Sequence, residues 1–301
     1  MFIKSTSLII PTRERLDSLN RFFFSINEYI DIFNEILIID SSLDIIHKKI
    51  INNFLKNKNL KVIKSEASSS IQRNIGIQRF NKNNEFIMFC DDDIIFQKNS
   101  ILNMDKFIKE FPNNIGYSFN LLEKKNLNYL EKLKKSTFFT KYGFYNKNPG
   151  IVCENGWHTK ISNIDKNYKA TWISTQACIY HSKYINNKIF FDVNLGQYSY
   201  LEDLFFSYEL GKKGILGISY NSTYLHPDNI DRTSINFGIK EVINRYKFVK
   251  KNNLNILKFY ITIFLKSFST LLQILTFKIN LIPKFFGNLT GIILCIIKRK
   301  K

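Results

Sequence analysis

Short runs of consecutive apolar residues alternate with stretches whose apolar residues recur every three or four positions. Ser7-Leu8-Ile9-Ile10, stopped by Pro11, predicts a buried strand, and Leu16, Leu19, Phe22, Phe23 and Ile26 predict the helix after it. Residues 35–39 predict a second strand, ending at Asp40-Ser41-Ser42, and residues 45–55 a second helix. A third strand is expected near residues 60–63, and Ser68 to Ser70 can cap a helix running through Ile71, Ile75 and Ile77. Residues 85–90 form a fourth apolar run, and Asp91-Asp92-Asp93 follows at once. Strands that are apolar throughout, alternating with helices, predict an α/β fold with a mostly parallel sheet covered on both faces. Ligands of such sheets bind beyond the carboxyl ends of the strands, which singles out Thr12, Arg13, Asp40 and the acidic triplet.

Residues 120–170 are polar, rich in Asn and Lys, and predict no clear element. Between 171 and 226 the pattern returns, with a strand at 177–180, a helix near 200–210 stopped by Gly211, and strands at 215–219 and 223–225. Beyond residue 236 the chain reads as basic helices. The expected division is therefore an α/β domain over 1–235 and a helical tail over 236–301.

Charge changes this picture once its placement is read. The 301 residues hold 44 Lys and Arg against 25 Asp and Glu, a formal +19 that by itself suggests a nucleic-acid binder. Every acid lies at or before Glu241, and residues 242–301 hold 12 basic residues. That leaves only +7 on the first 241 residues, from 32 basic against 25 acidic. Cys90, Cys153, Cys178 and Cys295 share no metal-ligand spacing, and no framework of disulfides is expected. The run at 7–10 is too short for the core of a secretory signal.

Three adjacent carboxylates after a buried strand repel one another and are costly to hold beside apolar neighbours without a cation. They suggest a hard divalent ion, Mn or Mg, shared with substrate phosphates; a solvated acidic turn is the plain alternative. Their surroundings narrow the choice. Residues 7–13, the Ile38-Ile39-Asp40-Ser41-Ser42-Leu43-Asp44 segment, Gln72-Arg73-Asn74-Ile75-Gly76, the strand ending in Asp91-Asp92-Asp93, and Tyr200-Leu201-Glu202-Asp203 with His226 beyond it occur in one order. In that order they resemble the family-2 glycosyltransferases, which use nucleotide sugars and have the GT-A fold.

The resemblance implies that Thr12, Arg13 and Asp40 line the nucleotide pocket and that Arg73 and Asn74 lie near the nucleotide and its phosphates. It places Asp91 toward the ribose, Asp92 beside it in the donor site, and Asp93 at the metal. Ser41 stands where the family often has a second Asp. Of the Glu202-Asp203 pair, the resemblance gives Asp203 the role of general base. Ser199 three residues before Glu202 predicts a capping box that would engage Glu202 and leave Asp203 facing the cleft. His226 follows a predicted strand and can ligate the ion or bond a leaving phosphate. Trp172 lies where the family often places an aromatic near the sugar, and a buried core Trp is the alternative. Ser174-Thr175 replaces the small Gly-rich turn common there.

In the tail, a helix over 254–277 places Asn255, Lys258, Thr262, Lys266, Ser269, Gln273 and Thr276 on one narrow stripe, with apolar residues elsewhere. The longest uncharged run, 285–297, has 13 residues. That is short of the roughly 20 needed to span a bilayer. The expectation is that residues 254–301 lie on a membrane with lysines reaching anionic headgroups; a helical subdomain or dimer interface is the alternative. The lysines are interleaved with too much aliphatic surface for a face that tracks nucleic-acid phosphates.

The function expected from these residues is inverting, metal-dependent transfer of a hexosyl-type sugar from a nucleotide-sugar donor to a hydroxyl of a glycan. The acceptor is expected to be lipid-linked, in cell-surface polysaccharide biosynthesis, with the enzyme at the inner face of the cell membrane. A nucleotidyltransferase would need a Gly-rich phosphate loop after the first strand, where this chain has Pro11-Thr12-Arg13-Glu14. A non-enzymatic basic protein binding membrane or nucleic acid leaves the acidic motifs unexplained.

Overall fold

The computed structural model describes all residues except 55–56, 124–136, 186–188, 197–198, 228–230 and 300–301. Residue 55 of the expected second helix and the last two residues of the tail thus lie outside the described residues. The chain divides into two compact units, Met1–Lys125 with Lys160–Asp228, and Asn126–Thr159 with Asn229–Lys301. The sequence expectation put one division near 235; the second unit also takes in a segment from the middle of the chain, for which no element was expected.

The first unit is built on strands β1 (Thr6–Thr12), β2 (Glu35–Asp40), β3 (Leu60–Lys64) and β4 (Phe86–Cys90), with helices α1 (Leu16–Ser25), α2 (Asp44–Phe54) and α3 (Ser69–Arg79) between them. The strands lie parallel in the order β3-β2-β1-β4. Every residue of β1, β2 and β4 is buried, so the sheet is covered on both faces. Side chains alternate across a strand, and the two faces feed two cores. Leu8, Ile10, Ile36, Ile38 and Met88 enter one, and Ile9, Leu37, Ile39, Ile87 and Phe89 the other. Ser68 caps α3 as expected, its hydroxyl accepting from Ile71 N–H at 3.5 Å. Gly76 lets α3 lie close on β1, because a Cβ there would stand 2.4 Å from Ile9 Cγ2.

The sheet continues through β5 (Ile95–Phe96), β6 (Gly116–Leu122), β7 (Tyr168–Ala170), β8 (Ala177–His181) and β9 (Leu216–Leu225), with α4 (Ser100–Glu110) and α6 (Glu202–Gly211) on its flanks. β8 enters antiparallel between β4 and β6. The two short strands expected at 215–219 and 223–225 are one strand whose pairing with β6 shifts register between Ser118 and Asn120. The result is a mixed α/β fold with parallel central strands.

The second unit is helical: α5 (Thr137–Lys141), α7 (Ile235–Lys251), α8 (Ile256–Leu275) and α9 (Ile282–Arg299). Val242, Tyr246, Val249, Phe259, Ile263 and Cys295 form its core. Gly238 and Gly287 let α7 and α9 touch backbone to backbone; a Cβ on Gly287 would stand 2.3 Å from Ile235 O. Ser234 caps α7 by accepting from Phe237 N–H at 3.2 Å, and Asn255 caps α8 by accepting from Lys258 N–H at 2.9 Å.

The middle of the polar stripe on α8 is engaged inside the unit and does not reach outward, while Asn255 and Thr276 at its ends are exposed. Lys258 donates to Tyr142 O at 2.7 Å and pairs with Glu154. Thr262 accepts from Asn155 Nδ2 at 2.9 Å, and Lys266 pairs with the buried Glu241 of α7. Lys284 of α9 lies 3.6 Å from the other oxygen of Glu241. Burial opposes ionisation of Glu241, but the two lysines outweigh it and hold its carboxyl down to about 2. Lysines expected at lipid headgroups are therefore drawn inward by acids from distant parts of the same unit.

Candidate active site

Parallel strands end on one edge of a sheet, and here that edge carries Thr12, Asp40 and the acidic triplet. Thr12 and Asp40 are register partners at the last positions of β1 and β2. The side-chain amide of Gln72 in α3 donates to Thr12 O at 2.8 Å and to Ile39 O at 2.7 Å, tying the two strand ends together. Because β8 runs antiparallel to β4, its start lies at the same edge: Cys90 pairs with Ala177, and Asp91 N–H donates to Gln176 O at 3.0 Å. Ser174, two residues earlier, donates to Asp203 Oδ2 at 3.4 Å, which brings the start of α6 to the site.

Each member of the triplet has its own partner. Asp91 Oδ1 accepts from Arg73 Nη2 at 2.6 Å. Burial raises the Asp91 pKa against the pull of that guanidinium. Asp92 accepts from Thr12 Oγ1 at 2.5 Å, and burial pushes its carboxyl up to about 7. Asp93 is buried, with Arg15 on Oδ2. Its Oδ1 receives no aligned hydrogen bond, and His226 Nε2 stands 3.2 Å away. Burial works against ionisation of Asp93, but His226 and Arg15 outweigh it and keep the carboxyl below its usual range.

Ligand atoms of Asp91, Asp93 and His226 lie within 4.8 Å of one another, the one such group of metal-ligating side chains among the described residues. A buried carboxylate oxygen facing an imidazole, beside a second carboxylate, fits a divalent cation of the Mn or Mg kind. Arg15 and Arg73 supply the remaining positive charge.

The start of α6 differs from the expected capping box. Leu201 precedes the helix with φ 77°, a strained left-handed backbone for a residue other than Gly. Glu202 N–H donates to Ser199 O at 2.9 Å, while the Ser199 hydroxyl donates to Gly196 O at 2.8 Å. The Glu202 carboxylate turns to Arg73, accepting from Nη1 at 2.9 Å, and to Ser69 Oγ at 3.2 Å. A charge-assisted bond to a buried guanidinium outcompetes a neutral backbone cap. Burial raises the Glu202 pKa to about 7 even so. Asp203 is half-buried beside Ser174, with its other oxygen accepting from Leu204 N–H at 2.7 Å.

Thr12, Arg73, Asp91, Asp92, Asp93, Glu202, Asp203 and His226 are thus brought to one edge of the sheet. Asp40 is fully buried, with one oxygen accepting from Ser42 and the other 2.5 Å from His47 Nδ1. Asn74 spends its amide on the backbone of Phe191, at 2.9 and 2.8 Å. Trp172 is buried and Arg13 is exposed. Sequence reasoning gave no site role to Arg15, Gln72, Ser174 or His47. Arg15 carried one signal, a second arginine just after the first strand, and Gln72 another, as the neighbour of Arg73 on a buried helix.

Comparisons with known proteins bear on this geometry. A family model described as glycosyl transferase family 2 matches residues 7–161. No curated protein matches the chain. Among solved structures, S. aureus TarS 1-349 is similar at 16% identity and TM-score 0.53, covering 85% of this chain and 70% of that one. The same TarS segment in complex with UDP-GlcNAc gives 14% identity and TM-score 0.54, over 84% of this chain and 68% of that one. GalNAc-T7 with UDP, GalNAc and Mn2+ gives 15% identity and TM-score 0.55, over 82% of this chain and 48% of that one. At these identities the solved structures show a shared fold, that of the GT-A glycosyltransferases.

Proposed function

The chain belongs to glycosyl transferase family 2, and from that premise we propose that it moves a sugar from a nucleotide-sugar donor to a hydroxyl of a glycan, with inversion at the anomeric carbon. The observation that carries this reading is the joint placement of Asp91, Asp93 and His226 at the strand ends with Asp203 on the same edge. Asp203 takes the proton of the acceptor hydroxyl as its oxygen attacks the anomeric carbon, and the bond from that carbon to the diphosphate oxygen breaks. Asp91, Asp93 and His226 would hold a divalent cation, Mn or Mg, whose charge offsets the negative charge building on the departing diphosphate. Arg73 keeps Asp91 and Glu202 in place, and Thr12 does the same for Asp92.

The finer reading is a hexosyl-type transfer to a lipid-linked glycan in cell-surface polysaccharide biosynthesis, at the inner face of the cell membrane. The helical unit supports it, because residues 254–301 carry exposed apolar side chains and no acid. The test is release of UDP, dTDP, GDP or CMP from the corresponding nucleotide sugars by the purified chain with Mn, followed by NMR of the anomeric configuration of the product. Release that depends on Asp203 and gives inverted product is expected. Retained configuration would overturn the assignment of Asp203 as base.

A further inference from the structure

Helix α8 contributes to the core of its unit and also carries apolar residues on its outward side. Its inward side holds Phe259, Ile263, Ser267 and Thr270, together with the ion pairs of Lys258 and Lys266. Its outward side carries Phe264, Phe268, Leu272 and Leu275 at spacings of three and four, and the turn after it adds Phe277 and Ile279. Phe264 is 68% exposed, Leu275 70% and Phe277 93%. In water such a stripe belongs in the core; here the core side is already filled. A continuous exposed apolar surface of this kind marks a docking face.

What covers it is indicated by charge and shape. No acid follows Glu241 in the sequence, and exposed Lys278 stands between Phe277 and Ile279. Two copies of this chain would bring like charges together at that face, whereas an anionic lipid surface complements it. Between α8 and α9 lies an apolar groove of about 360 Å³, lined by Tyr260, Ile261, Phe264, Leu265 and Ile292. The segment Ile279–Ile297 is long and apolar enough to cross a membrane. Yet Gly287, Asn288, Gly291 and Cys295 are buried on the side facing α7, so only one side of α9 is open to lipid.

We infer that the outward face of α8, with the 277–282 turn and the α8–α9 groove, inserts into one leaflet of an anionic bilayer, the groove taking lipid hydrocarbon. The polar stripe and its lysines point away from the lipid, so insertion is held by apolar contact and only assisted by charge. This inference rests on the reading of residues 254–301 as the membrane-facing part of the chain.

The test is co-flotation of the full chain with vesicles of phosphatidylcholine containing about a quarter phosphatidylglycerol. It is run in about 0.1 M and about 0.5 M NaCl, which shortens the screening length from about 10 Å to about 4 Å. The chain is expected to float in both, with a less than threefold loss at the higher salt. The triple variant F264Q/F268Q/L272Q is expected to lose flotation at least tenfold. Phe277→Trp supplies an independent readout, and its emission is expected to be quenched by lipids brominated in the acyl chains. Flotation lost at high salt, flotation unchanged in the triple variant, or unquenched emission would overturn insertion. So would a wild-type dimer in sedimentation that the triple variant converts to monomer, which would assign the face to a second copy. Thermal stabilisation by nucleotide and Mn is measured alongside. If it persists while flotation fails, insertion alone falls; if it fails while flotation holds, the transferase reading falls instead.

Discussion

Arg73 Nη1 lies 2.9 Å from Glu202 Oε1, joining the helix after the third strand to the helix that carries the candidate base. The same guanidinium holds Asp91 at 2.6 Å. One buried cation therefore neutralises a carboxylate from each of two motifs that lie far apart in the chain.

Breaking that relationship is expected to cost stability as well as activity. Replacing Arg73 with Met leaves the half-buried Asp91 and Glu202 without their shared cation, which costs up to about 3–5 kcal/mol. Denaturant unfolding of Arg73→Met against wild type checks this. Arg73→Lys is expected to recover only part of the loss, because a point charge cannot serve Asp91 and Glu202 through separate nitrogens.

Asp203→Asn is expected to keep the fold and the affinity for nucleotide, since the amide oxygen can still accept from Leu204 N–H while the amide NH2 donates to the Ser174 hydroxyl. Transfer is expected to fall by roughly 10²–10⁴, the usual contribution of a positioned base. Equilibrium nucleotide binding beside single-turnover transfer separates the two. Unimpaired transfer would remove Asp203 from the mechanism.

The second unit is expected to lose stability in acid. Glu241 has a carboxyl held down to about 2 in the folded chain, against an ordinary value of 4.5. A depressed carboxylate contributes stability above its unfolded value, and that contribution is lost as pH falls from about 4.5 through about 2. The contribution is at most roughly 3 kcal/mol. Circular dichroism melts at stepped pH, comparing wild type with Glu241→Gln, check it. The variant is expected to start less stable and to show a flatter acid response over that window.

Much of the first unit was legible in the chain because local patterns coincide with the tertiary solution there. The runs at Leu8–Ile10 and Ile36–Ile39 are buried on both sides, and Ser68 caps α3 as its position suggests. The place of β8 between β4 and β6 was not legible, because strand order depends on pairings between residues such as Cys90 and Ala177. The Ser199–Glu202 cap failed for a related reason: a sound local rule lost to a charged partner 129 residues away. The stripe on α8 was visible in the sequence, but which side turns inward was decided by Glu154 and Glu241, acids outside that helix.

The central claim, nucleotide-sugar binding that depends on the Asp91–Asp93–His226 group, is tested most directly by thermal unfolding with UDP, dTDP, GDP and CMP, each with and without Mn. At about a hundredfold excess over Kd a bound nucleotide adds about 2.7 kcal/mol, a Tm rise of roughly 4 °C for a chain of this size. One nucleotide is expected to give that rise only with Mn, and Asp93→Asn is expected to abolish it. No rise with any of the four, or the same rise in Asp93→Asn, would contradict the account.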